Sequence, residues 1–124
     1  MKFIYDLKQA NEIIEKFNAE KCQIWLFGIT HRRMGLQLSK RNVYEVIYII
    51  SVSSAYIKGF FSWDNPKIEI VKNEEEGITI IDKNGNFELI ADGGFGVVRG
   101  HMSEFGDSFD HFLLGEMEDG NMSD

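Results

Sequence analysis

The sequence predicts an α+β domain in which an N-terminal helix packs on a largely antiparallel β-sheet of six to eight strands, with a short helix near the C-terminus. Three observations carry that prediction. The apolar residues before position 20 recur at helical spacing, those between positions 22 and 91 fall into short runs of strand type, and turn-forming residues separate the runs.

The helix comes first. Asp6 is placed to cap it, and Gln9 three residues on completes an Asp-x-x-Gln capping box. Leu7, Ala10, Ile13, Ile14 and Phe17 then lie on one stripe, with Glu12 and Lys16 able to pair on the wet side. The spacing predicts a helix over residues 6–19. From Cys22 the pattern changes: CQIWLFGIT is apolar on both faces, as in a covered central strand. It leads through His31-Arg32-Arg33 into a segment where Met34, Leu36 and Leu38 alternate, so the two runs read as a hairpin. Lys40-Arg41-Asn42 turns the chain into YEVIYIISV, a third strand, and residues 55–59 extend or restart it.

The stretch FFSWDNP reads as an aromatic turn, followed by the strand KIEIV. ITIID and FELIA flank Lys83-Asn84-Gly85-Asn86, and Asn-Gly is a strong signal for a two-residue type I′ hairpin. That loop sets Ile80 opposite Leu89 and Ile78 opposite Ala91, giving a core face of Ile78, Ile80, Phe87 and Leu89. DGGFGVVRG, at 92–100, holds four glycines; the expected roles are a turn at Asp92-Gly93-Gly94 and a bulge at Gly96. Ser108 is placed to cap a short helix presenting Phe109, Phe112 and Leu113. Residues 1–115 are expected to form one domain and 116–124 an acidic, frayed tail.

Composition narrows the function. The formal net charge is −7, and all of the excess lies after residue 99, where Glu104, Asp107, Asp110 and four further acidic residues occur with no Lys or Arg. Phosphate repulsion makes nucleic acid an unsuitable partner, whereas a basic protein suits this charge. The N-terminal stretch lacks the apolar core of a secretory signal, and the longest apolar run, Val46 to Ile50, is far short of a membrane span. The expected location is cytoplasmic, with no membrane partner.

Chemical motifs are sparse. The glycine cluster has Gly94-x-Gly96 but Arg99 where a dinucleotide loop needs its third glycine, and no Gly-Lys-Ser/Thr occurs. Asp82, Asn84, Asn86 and Glu88 alternate like calcium ligands, but the glycine comes at the fourth position instead of the sixth, which favours a hairpin tip. One cysteine and three scattered histidines match no zinc spacing, and Cys22 reads as a small apolar strand residue before it reads as a nucleophile. Arg99 and His101 share a strand face and, with Asp92 or Asp64, would make the one enzyme-like constellation. His31-Arg32-Arg33 reads as a solvated turn before an anion site. Tyr56, Phe60, Phe61 and Trp63 either close one end of the core, the commoner role, or form an exposed patch.

The expectation is therefore a small acidic protein-binding module acting on a basic partner. Its binding residues would come from Phe60, Phe61 and Trp63, from Arg99 and His101, and from Glu104, Asp107 and Asp110 in the acidic segment. In size and charge it is similar to small acidic inhibitors such as bacterial immunity proteins, a likeness of composition and of no motif. The alternative is a small-molecule binder or enzyme with a polar pocket around Arg99 and His101; a third reading is an oligomerising structural domain. No catalytic residue, metal ligand or cofactor is assigned.

Overall fold

A computed structural model describes residues 3–74 and 77–102. The short C-terminal helix, the acidic tail 116–124 and the side chains of Glu104, Asp107 and Asp110 lie outside the described residues.

Strand β1 (Phe3–Ile4) leads into helix α1 (Leu7–Phe17), and Asp6 caps the helix by accepting the Gln9 N–H at 2.9 Å. Asn18 ends it in the left-handed region, at φ 52°, where Asn is tolerated, and its N–H returns to the Ile14 carbonyl. The predicted stripe does its work: Ala10, Ile14 and Phe17 are buried.

Nine further strands follow among the described residues: β2 (Lys21–Gly28), β3 (Arg33–Ser39), β4 (Glu45–Ser51), β5 (Ser54–Lys58), β6 (Ser62–Asp64), β7 (Glu69–Lys72), β8 (Ile78–Asp82), β9 (Phe87–Ala91) and β10 (Phe95–His101). They form two antiparallel sheets instead of the one predicted. The larger has the order β1-β10-β4-β3-β2-β6 and the smaller β5-β9-β8-β7. The sheets divide at Val52-Ser53, where Ser53 takes a φ of 56° and ends β4 before β5 restarts in the other layer. Period-two patterning reports which face is buried but not which layer a strand joins, so the sequence allowed a restart near residue 55 but not the change of sheet.

The inner face of the larger sheet, including Leu36, Leu38, Ile47, Ile49 and Val97, packs against a second layer. That layer comprises the smaller sheet, with Ile70, Ile80, Phe87 and Leu89, and α1 beside it. Asn11 fixes the helix to the small sheet, its side chain donating to the Ile70 carbonyl at 2.8 Å and accepting the Ile70 N–H at 2.9 Å.

The predicted β8–β9 register holds, with Ile80 opposite Leu89 and Ile78 opposite Ala91. The turn differs. The last pair is Asp82–Phe87, the loop spans four residues, and the positive φ falls on Asn86 (52°) instead of on Asn84-Gly85. Gly85 is required for space: a Cβ there would stand 2.4 Å from the Trp63 Nε1. The glycine cluster also divides. Asp92 and Gly93 turn as expected, and Gly94 takes φ 107°. Gly96 makes no bulge, since β10 pairs with β4 without a register shift; it gives room to the rings of Phe3 and Tyr5, each 3.1 Å from where its Cβ would be.

Candidate functional site

An aromatic cluster separates into two roles. Trp63 is buried because β6 pairs with β2, Trp63 opposite Cys22, and so turns its indole inward. The ring stacks on Phe87 at 4.7 Å between centroids, and Nε1 donates to Asp82 Oδ2 at 2.6 Å. Phe60 and Phe61 precede that pairing and are 68% and 82% exposed, with Tyr56 and Ile57 also open to solvent. Trp63 thus belongs to the core and is withdrawn as a surface-binding residue, whereas its three aromatic neighbours do not close the core.

The segment that carries these exposed residues is held at both ends. The Ser53 N–H donates to the His31 carbonyl at 2.9 Å, and Arg32 Nε donates to the Ser54 carbonyl at 3.0 Å. At the other end the Ile24 N–H donates to the Phe61 carbonyl at 2.7 Å, and residues 62–64 pair with 21–23. Residues 53–54 are thus tied to the β2–β3 turn and residues 61–64 to the start of β2, while β5 between them pairs with β9 in the smaller sheet. Phe27 and Ile29, at the end of β2 and just beyond it, are exposed as well, Ile29 to 84%. Among the described residues β6 covers only the start of β2, so Trp25–Gly28 have a strand partner on one side alone. The sequence reading of CQIWLFGIT as covered throughout is corrected for its second half: Trp25 and Leu26 are partly buried, while Phe27 and Ile29 are exposed. The missed signal was an isoleucine placed directly before a polar turn, where no strand face remains to bury it.

His31-Arg32-Arg33 forms a single tight turn, with His31 and Arg32 at φ 60° and 45°. Its backbone and Arg32 tie the hairpin tip to β5.

Arg99 and His101 lie elsewhere, on β10. Arg99 Nη2 meets Glu45 Oε1 at 2.8 Å, its guanidinium carbon sits 5.3 Å above the Phe17 ring, and His101 stacks with Tyr44. The Arg99 hydrogen bond holds the Glu45 carboxyl below its ordinary range. The arrangement is an exposed ion pair flanked by rings, and neither Arg99 nor His101 lines a cleft found beside the helix. That cleft, of about 550 Å³, lies between α1 and the β6–β7 connection, with Ile14, Leu38 and Ile68 at its apolar side and Glu15, Lys67 and Glu69 at its polar side.

Nucleophilic and anion chemistry find little footing. Cys22 is wholly buried; burial pushes its thiol far up, and the Asp82 charge adds to the effect. The Asp92 and Gly93 amides donate to the Ser53 and Val52 carbonyls, at 3.0 and 2.9 Å, so neither is offered to a phosphate. Asp82 itself is a structural latch: beyond Trp63, it accepts from the Lys67, Asn84 and Gly85 N–H groups. Among the described residues no three His, Cys, Asp or Glu side chains converge into a metal site, and no helix is long and apolar enough to cross a membrane. No family model, curated protein or solved structure matches the chain.

Proposed function

We propose that the chain is a small protein-binding module that engages its partner through the edge carrying Phe27, Ile29, Tyr56, Phe60 and Phe61. The exposure of Phe60, Phe61 and Ile29 is the observation that carries this reading. Burying each such side chain is worth about 1.5–3 kcal/mol, and a chain that leaves several of them in water has surface that another molecule can cover. Aromatic residues of this kind form the anchors of protein interfaces. The acidic excess after residue 99 favours a basic partner and faster encounter with it. An inhibitor acting on a basic protein is one module of this description. The rival pocket around Arg99 and His101 has less support, because Arg99 is engaged by Glu45 and the cleft is lined by other residues.

The test is affinity capture from the source cell with the wild-type chain and with a Phe60→Ser/Phe61→Ser variant, each at low and high salt. Both positions are exposed, so the variant should keep the wild-type circular dichroism spectrum. A partner held by the wild type should be lost or weakened by about 30-fold or more, the equivalent of one interface hot spot, and high salt should weaken it further. Equal retention of the partner by both chains would overturn the proposal.

A further inference from the structure

The cleft beside α1 shares no residue with the exposed aromatics or with the Arg99 ion pair, and its lining is divided by polarity. Its apolar side is made by buried side chains, Ile14 from the last turn of α1, Leu38 from β3 and Ile68 from the connection into β7. Its polar side is charged. Ile68 and Ile70 are buried, so the alternating Lys67 and Glu69 stay in solvent, and Glu15 is exposed on the helix. Among the described residues none of these three charged side chains makes an ion pair or a hydrogen bond. The end of α1 adds to the negative potential. The Asn18 N–H takes the Ile14 carbonyl, which leaves those of Glu15, Lys16 and Phe17 without a partner in the helix, at the negative end of its dipole. Lys16, the basic residue of that turn, does not line the cleft, and Lys40 and Arg99 are held over the Phe17 ring.

We propose that this cleft binds a small organic cation with an apolar body, an alkyl or aryl amine, its ammonium taken by Glu15 and Glu69 and its body laid on Ile14, Leu38 and Ile68. The volume of about 550 Å³ is that of a small-molecule site. Charge selects the sign of the ligand. Two carboxylates and a helix C-terminus outweigh the single ammonium of Lys67, so a cation is attracted, whereas an anion of the same shape has Lys67 alone to meet it. The apolar side selects the body, because a ring or chain that leaves water for Ile14, Leu38 and Ile68 gains what a bare ammonium cannot. A metal ion fits less well, since among the described residues no third carboxylate, histidine or cysteine joins Glu15 and Glu69. The cleft lies apart from Phe60 and Phe61, so amine and partner bind without competing.

Titration of the isotope-labelled full-length chain with phenethylamine, followed by backbone amide shifts in NMR spectra, tests this. The amides of Glu15, Asn18, Lys67 and Glu69 should move along one saturable curve. Three relatives of the probe separate its parts: phenethyl alcohol lacks the charge, hydrocinnamate reverses it, and ethylamine lacks the ring. Each should bind about tenfold more weakly than phenethylamine, or worse. A Glu15→Gln/Glu69→Gln chain is changed at exposed positions only and should keep the wild-type spectrum away from the cleft. It should lose about tenfold in affinity for the amine and bind the alcohol as before. No saturable shift at the cleft, equal or tighter binding of any of the three relatives, or undiminished amine affinity in the double variant would overturn the proposal.

Discussion

Removing the Asp82 carboxylate should cost more stability than any other single polar deletion in the described fold. Asp82 is buried at the end of β8, where Oδ2 accepts from Trp63 Nε1 and the Lys67 N–H, and Oδ1 accepts from the Asn84 and Gly85 N–H groups. It ties the last strand of the larger sheet to the hairpin of the smaller one. In Asp82→Ala all four donors lose their acceptor. Lys67 and Asn84 are exposed and can turn to water, but Trp63 and Gly85 are buried. Two buried donors at about 1–3 kcal/mol each, with a smaller loss at the exposed pair, give a penalty of roughly 3–5 kcal/mol. Against a typical total of about 5–15 kcal/mol that is a large share, equivalent to a fall in Tm of roughly 10–20 °C for a chain of this size. Asp82→Asn should lose about half as much, because an amide presents an NH2 group to two of the four donors. Urea unfolding followed by far-UV circular dichroism measures both variants. A loss below about 1 kcal/mol for Asp82→Ala, or wild-type stability for Asp82→Asn, would refute the latch.

Three further outcomes follow from the same geometry. Gly85→Ala should destabilise by about 1–3 kcal/mol, through overpacking against the Trp63 indole, and should shift Trp63 emission; an unchanged urea midpoint would show that the indole has room to move. The depressed Glu45 carboxyl contributes stability above its unfolded-state value of 4.5 and loses it as pH falls through the lower folded value. Because the pair is exposed, Glu45→Gln should cost no more than about 0.5 kcal/mol at neutral pH, and the difference from wild type should vanish in acid. Cys22 should resist thiol reagents in the native state and react only as urea unfolds the chain; rapid labelling of the folded protein would contradict its burial.

The α1 stripe was legible because five apolar residues and one capping carboxylate within twelve positions all require the same helix. The β8–β9 register was equally legible, since Asn84-Gly85 marks the centre of the loop and a two-residue or a four-residue loop about that centre gives the same pairing. Trp63 and Phe61 show where such reading stops. They are two apart in an aromatic run, and alternation puts both on one face, yet the strand begins at Ser62 and only Trp63 is turned inward by pairing with β2. The partner strand lies forty residues upstream, beyond any local pattern. The same holds for Asp82, whose spacing resembled a metal loop: besides the adjacent Asn84 and Gly85 amides, its donors are Trp63 on β6 and Lys67 beyond it, well upstream. Sequence alternation also gave no warning of the second layer, because the chain passes between the sheets at four connections, after β4, β5, β6 and β9.

Hydrogen exchange across the chain, alone and saturated with the captured partner, is the most direct measurement of the binding edge. Binding should slow exchange in residues 54–62 and at the β2–β3 turn while leaving α1 and the β6–β7 connection unchanged. Slowing confined to the α1 cleft, or to Arg99 and His101 on β10, would place the partner elsewhere and contradict the account.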